Sequence, residues 1–297
     1  GNATDAMEIY LQAIGLQKGD EIIISSHTML ATASAVIQAG GIPIPVDIGP
    51  DNLIDPNCIE EAINTRTVGV LPTQLNGRTC NMDRIEEIIS KNNLFLVEDS
   101  AQALGSKFKN RFAGTFGMGS CISFFPAKVL GCFGDAGAIL TQDENIYEKS
   151  FQIRDHGRDK NGEVQCWGRN SRLDNVQAAI LSYKLQTYEN VIKRRRSIAS
   201  MYDEQLSELD ELILPPAPNS NLDHFDVYQN YELAAKDRDD LKKYLADNGI
   251  GTLIQWGGQG IHHFKNLGFN QNLPLTDKFF NECIMLPMNM FIEDSDV

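Results

Sequence analysis

Over its first 145 residues the chain alternates segments of helical spacing with short apolar runs, which limits the fold to a βαβ arrangement around a largely parallel sheet. Parallel neighbours cannot be joined by a tight turn, so each strand needs a crossover, usually a helix. Met7, Tyr10, Leu11 and Ile14 fall at i, i+3, i+4 and i+7 and mark a buried helical face ending at Gly15 or Gly19. Strands are predicted at 21–24, 42–46, 67–71, 94–97, 121–125 and 136–141, with helices at 28–39 and 83–90. Asp55-Pro56 is a further helix start, an oxygen-bearing cap followed by proline at the first helical position.

Beyond this point the pattern changes. Residues 173 to about 206 are helical in spacing, after which Pro215-Pro216-Ala217-Pro218 punctuates the chain. A strand at 227–235, a helix at 238–248 and a strand at 251–255 are predicted to follow, giving a smaller α+β lobe. The expected fold class is therefore α/β: a mostly parallel sheet flanked by helices, with a smaller C-terminal α+β domain. The expected division is a large domain over 1–189 and a small one over 190–297. No internal repeat or low-complexity tract is visible.

With 297 residues and 42% hydrophobic content, the chain can bury a core in each of two lobes. No run of about 18 apolar residues occurs, so no membrane-spanning helix is expected. No secretory signal is visible and the expected location is cytoplasmic. Gly1-Asn2-Ala3-Thr4-Asp5 opens abruptly at a helix start, so the protein is expected to continue upstream of Gly1. A net charge of −14 argues against nucleic acid and anionic membranes as partners. The one basic run, Lys193-Arg194-Arg195-Arg196, reads as a solvated or salt-bridged helix face. Six scattered cysteines without a C-x-x-C pair, and no histidine at ligand spacing, point to buried free thiols and to no metal site.

Three features carry candidate chemistry. Glu98-Asp99 lies at the carboxyl end of a buried strand, where open α/β sheets gather ligands; a carboxylate there can bind magnesium, act as a base or pair with a cationic ligand. Ser123-Phe124-Phe125-Pro126-Ala127-Lys128 ends a strand at a proline and puts a lysine before a glycine-rich stretch; an amine that can lose its proton is suited to Schiff-base formation. Ala3-Thr4 open a helix whose free amides can hold a phosphate. Each alone has an ordinary structural explanation, as a cap or a surface side chain. Together they supply what pyridoxal phosphate needs: a lysine for its aldehyde, a carboxylate for its ring nitrogen and a cup for its phosphate.

With these features in place, the sequence resembles the DegT-type nucleotide-sugar aminotransferases, which have the aspartate-aminotransferase fold. The resemblance rests on Thr28-Met29-Leu30-Ala31-Thr32-Ala33, Glu98-Asp99-Ser100-Ala101-Gln102-Ala103, the segment ending at Lys128, Arg154-Asp155-His156-Gly157 and Asn170-Ser171-Arg172-Leu173-Asp174. It implies that pyridoxal 5'-phosphate is the cofactor and that Lys128 is the catalytic lysine bonded to it. It further implies Asp99 at the pyridine nitrogen, Gln102 near the ring, and Ala3, Thr4 and Ser123 around the phosphate. Asn170 is implied to reach the cofactor of a second subunit, so a homodimer with shared sites is expected. The implied reaction carries an amino group from L-glutamate to a nucleotide-linked keto-sugar in amino-sugar or polysaccharide biosynthesis. Met29 stands where an aromatic ring often stacks, Leu104 replaces a frequent histidine, and Gln255-Trp256-Gly257-Gly258 replaces a His-Tyr-Pro segment; His262 is the candidate substrate contact there. The alternatives are a cofactor-binding regulator on the same fold and a pyridoxamine-dependent sugar dehydratase, against which Lys128 itself argues.

Overall fold

The computed structural model describes residues 1–297. Its helices are α1 Ala3–Ala13, α2 Leu30–Gln38, α3 Pro56–Ala62, α4 Met82–Asn92, α5 Glu144–Arg154, α6 Asn175–Leu185, α7 Tyr188–Leu206, α8 Arg238–Asp247 and α9 Pro274–Glu282. The strands are β1 Glu21–Ser25, β2 Ile42–Val46, β3 Thr67–Leu71, β4 Phe95–Asp99, β5 Lys107–Phe108, β6 Arg111–Phe112, β7 Gly119–Ser123, β8 Gly137–Thr141, β9 Leu212–Ile213, β10 His224–Phe225, β11 Tyr231–Ala235 and β12 Cys283–Leu286.

The central sheet has the order β2-β1-β3-β4-β7-β8. All neighbours are parallel except β7 and β8, which pair antiparallel from Gly119↔Thr141 to Ser123↔Gly137. Ile22 and Ile24 of β1 face a core with Met7 and Leu11 of α1, while Ile23 points to the opposite core with Ile59, Ile85 and Ile88. Both faces are covered by helices. This explains why the strands read as continuous apolar runs rather than alternating ones.

A second, antiparallel sheet, β12-β11-β9, forms the C-terminal lobe with Ile198 and Tyr202 of α7 packed on it. The basic run is a solvated and salt-bridged face only in its first half, where Lys193 is exposed and Arg194 pairs with Asp294. Arg195 is buried and donates from Nη1 to the carbonyls of Tyr228 and Gln229 at 2.9 and 3.1 Å, and Arg196 donates to the Asp226 carbonyl at 2.8 Å. Guanidinium groups thus satisfy a loop whose carbonyls lack a sheet partner.

Several local expectations are corrected. The strand expected at 251–255 does not form: Leu253 makes only an isolated bridge to Met285. Trp256 and Gly257 then take positive φ values of 47° and 69°, which turn the chain away before a ladder can extend. The strand predicted at 94–97 continues through Asp99, and the helical stretch 173–206 is two helices, α6 and α7. Helices α5 and α9 and strand β12 were not anticipated. Of the cysteines, Cys80, Cys121, Cys132 and Cys283 are buried thiols, Cys58 is half-buried and Cys166 is exposed. No helix is long and apolar enough to cross a membrane.

Candidate active site

A cavity of about 540 Å³ opens at the carboxyl ends of β1, β3, β4 and β7 and is closed from the other side by the C-terminal lobe. Strand ends converge there because every parallel strand leaves the sheet on the same edge. Ala3, Thr4, Met29, Asp99, Gln102, Ser123 and Lys128 all line this one cavity, although they are spread over 126 sequence positions from Ala3 to Ser123–Lys128.

Lys128 is placed by the arrest of β7. Pro126 cannot continue the ladder, and the Lys128 amide closes a turn onto the Phe125 carbonyl at 2.8 Å. Gln229 of the C-terminal lobe brackets the lysine: its Nε2 donates to the Ala127 carbonyl and its Oε1 accepts from the Val129 amide, each at 2.8 Å. Gly131 then passes so close beneath that a Cβ would lie 2.5 Å from the Pro126 carbonyl oxygen. The lysine is therefore held on a fixed loop. Burial lowers its pKa, opposed by the negative charge of Asp99. A lysine shifted this way supplies a neutral amine more readily than one in water.

Asp99 is fully enclosed. Burial raises its pKa, and hydrogen bonds from Thr32 (2.7 Å) and the Ala101 amide (3.1 Å), together with the Lys128 charge, oppose that rise. Its neighbour Glu98 points to the other face of the sheet. There it accepts from the Gly114 and Phe116 amides (2.9 and 2.6 Å) and from Gln74 Nε2 (2.6 Å). The sequence offered both carboxylates, and the pleat of β4 gives only Asp99 to the cavity.

The phosphate end of the expected ligand would face the start of α1. Asn2 caps this helix by accepting from the Asp5 amide at 2.9 Å. Ala3 and Thr4 lie in the first turn, where amide donors lack intrahelical partners. Gly137 of β8 allows the approach, since a Cβ there would meet the Asn2 carbonyl carbon at 2.5 Å. Ser123 comes from the end of β7, and Gln102 is oriented by the Asn76 amide, which donates to its Oε1 at 2.8 Å. Gln102 thus keeps its amide donors for other partners. Met29, about half exposed, begins α2 at the cavity wall.

Two expected residues lie elsewhere. Asn170 is exposed, bridges to Asp155 and does not line its own chain's cavity. His262 is buried outside the cavity: Nδ1 lies 2.6 Å from Ser26 Oγ and Nε2 lies 2.7 Å from Asp277 Oδ1, the same oxygen that faces His263 Nε2 at 2.7 Å. Spacing gave no metal pattern, yet the fold brings His262, His263 and Asp277 together. The Gly260 amide donates to His263 Nδ1 at 3.0 Å, which puts the ring proton on Nε2 and commits that nitrogen to Asp277. Wall residues missed from the sequence are Thr28, Thr73, Gln229, Asn230 and Met285. Only Thr28 carried a usable signal, its place beside Met29 at a strand-to-helix turn.

Fold and cavity together define an α/β protein with a strand-end pocket fitted for group transfer, with a buried carboxylate, an amine of lowered pKa and a helix N-terminus at one site. A family model described as the DegT/DnrJ/EryC1/StrS aminotransferase family matches residues 1–297, and the chain belongs to that family. It is 37% identical over 294 residues, 97% of its length, to the pleiotropic regulatory protein of Geobacillus stearothermophilus, covering 78% of that protein. It is 33% identical over 297 residues, its whole length, to the UDP-2-acetamido-2-deoxy-3-oxo-D-glucuronate aminotransferase of Pseudomonas aeruginosa, covering 82% of that enzyme. Among solved structures, S. venezuelae DesV in complex with a ketimine intermediate aligns with TM-score 0.94 and 32% identity, covering 99% of this chain and 80% of that one. The ntda protein from Bacillus subtilis, with bound cofactor PMP, aligns with TM-score 0.89 and 32% identity, covering 99% and 69%. The expected fold is thereby confirmed.

Proposed function

We propose that this chain binds pyridoxal 5'-phosphate in the strand-end cavity and transfers the amino group of L-glutamate to a nucleotide-linked keto-sugar, as a homodimer in the cytoplasm. The observation that carries this reading is one cavity walled by Lys128, Asp99, Gln102, Ser123 and the first turn of α1. The donor set fits the cofactor: amides and a hydroxyl for an anion, an amine for an aldehyde and a carboxylate for a ring nitrogen. When bound, the cofactor supplies an electron sink for the carbon that loses a proton. Lys128, fixed by Gln229, provides the amine that holds the cofactor and the base that moves the proton. Asp99 keeps the ring nitrogen protonated, and Gln102 positions the ring. The phosphate end is held by Ser123 and the amides of Ala3 and Thr4, completed by Asn170 of a second copy. His262 acts at most indirectly on substrate, through the Ser26 turn beside Thr28.

The relatives named for sugar substrates, including dTDP-3-amino-3,4,6-trideoxy-alpha-D-glucose transaminase from Streptomyces venezuelae at 33% identity, support a nucleotide-sugar acceptor. A screen of nucleotide-linked keto-hexoses with ¹⁵N-glutamate tests it. Labelled amino-sugar is the expected product, and 2-oxoglutarate should form in equal amount. A second reading, a cofactor-binding regulator without turnover, is favoured by the name of the Geobacillus relative. Stoichiometric cofactor binding with no label transfer, from glutamate to cofactor or onward, would select that reading instead.

A further inference from the structure

Three threonines from three segments meet at Asp99. Thr28 lies in the β1–α2 turn, Thr32 in the first turn of α2, and Thr73 just after β3. Their hydroxyls are buried and linked through Thr28: Thr28 Oγ1 is 2.8 Å from Thr32 Oγ1 and 2.7 Å from Thr73 Oγ1, and Thr32 Oγ1 is 2.7 Å from Asp99 Oδ2. Thr73 Oγ1 is 3.4 Å from the same carboxylate oxygen.

A hydroxyl has one proton and a carboxylate has none, so the direction of each bond can be worked out. Thr32 gives its proton to Asp99 and can then only accept from Thr28. Thr28 has thereby spent its own proton and can only accept from Thr73, whose 2.7 Å contact to Thr28 is far shorter than its 3.4 Å contact to Asp99. The result is a one-way chain, Thr73→Thr28→Thr32→Asp99. Chains of this kind strengthen each member, because a hydroxyl that accepts becomes a better donor. The backbone holds the ends in register: Asp99 N donates to the Pro72 carbonyl at 3.0 Å, and Gln74 N donates to the Asp99 carbonyl at 2.9 Å.

We propose that Thr73, Thr28 and Thr32 form a directed hydroxyl chain that holds Asp99 as an oriented anion inside a site that otherwise disfavours its charge. The three are positioning residues, acting on the cofactor through Asp99; this consequence rests on the role given to Asp99 above. The ionisable groups facing Asp99 are Lys128, across the cavity, and the buried Cys121 thiol of β7. The Ala101 amide is the one donor on Oδ1. The lysine is the only cation near it, so in the cofactor-free protein the hydroxyl chain, the Ala101 amide and that lysine together oppose burial.

The decisive residue is Thr28, which does not touch Asp99. In cofactor-free protein carrying ¹³C-labelled aspartate, the carboxyl signal of Asp99, assigned through Asp99→Asn, is followed against pH. Thr32→Val should move its midpoint upward most, Thr28→Val upward by less, and Thr28→Ser should restore the wild-type midpoint. Pyridoxal-phosphate affinity should fall in the same order, about tenfold for Thr32→Val and about threefold for Thr28→Val. Thr28→Ala serves as a second hydroxyl deletion if the valine crowds the turn. A midpoint unchanged in both Thr28 deletions, with Thr32→Val shifted, would leave a single contact and overturn the chain. If Asp99→Asn binds cofactor and turns over normally, the role of Asp99 falls, while the carboxyl titration still decides the chain.

Discussion

The two faces of the sheet at the end of β4 make an instructive pair. Glu98 and Asp99 are adjacent, both carboxylates and both almost completely buried. Glu98 faces the side of Phe116 and is saturated by three donors from a loop and a glutamine, with burial pushing its pKa up to about 7. Asp99 faces the cavity, where two hydroxyls, one amide and a lysine surround it. One carboxylate closes a loop; the other is left facing the space where a ligand sits. Chemical type and burial do not separate them, and partners do.

The contrast can be broken from either side. Asp99→Asn should lower transamination by about 10²–10³-fold with the fold kept, because the near-isosteric amide can still accept from the Ala101 amide but carries no charge to hold a ring proton. Near-normal turnover in that variant, with cofactor seated, would remove Asp99 from the role given to it here. Glu98→Ala should do the reverse: three buried donors lose their acceptor, at a cost of about 3 kcal/mol or more, with the cofactor chemistry intact in the protein that remains folded. Urea unfolding of this variant, followed by activity per folded molecule, separates the two effects.

Glu98 also predicts a pH dependence. Its folded pKa lies above the ordinary carboxylate value, so the folded state binds the proton more tightly than the unfolded state. Its contribution is fully present below about pH 4.5 and is lost as pH rises through about 7. Unfolding free energies from pH 5 to 8 should fall more steeply for wild type than for Glu98→Gln, and parallel curves would refute the assignment. Smaller effects are expected at the edge of the site. Asn170→Ala should weaken cofactor retention without unfolding the chain, and mixing it with Lys128→Ala chains should restore part of the activity, since one site of the mixed dimer is whole. No restoration on mixing would argue against shared sites. His262→Ala, with its partners Ser26 and Asp277 left in place, should cost about 1–3 kcal/mol of stability and change turnover little.

Much of the central sheet was legible from the sequence because a parallel strand buried on both faces writes itself as an apolar run, as in Glu21–Ser25 and Thr67–Leu71. The candidate site was legible where its residues sit at strand ends beside proline or glycine. The illegible parts have physical reasons. Helix α5 has Tyr147 exposed and few buried positions, so its apolar period is faint. The 251–255 segment has strand-like composition but meets a left-handed Trp256. Gln229 is one glutamine among many until the fold brings it across 100 residues to the Lys128 loop.

The central claim is that Lys128 bonds the cofactor in this cavity, and borohydride reduction of the protein loaded with pyridoxal phosphate, followed by peptide mass mapping, tests it directly. The predicted result is one phosphopyridoxyl group per chain, on the peptide containing Lys128, with loss of both the label and the visible absorption band in Lys128→Ala. Stoichiometric label on Lys184 or any other lysine, or a visible band that survives in Lys128→Ala, would contradict the account.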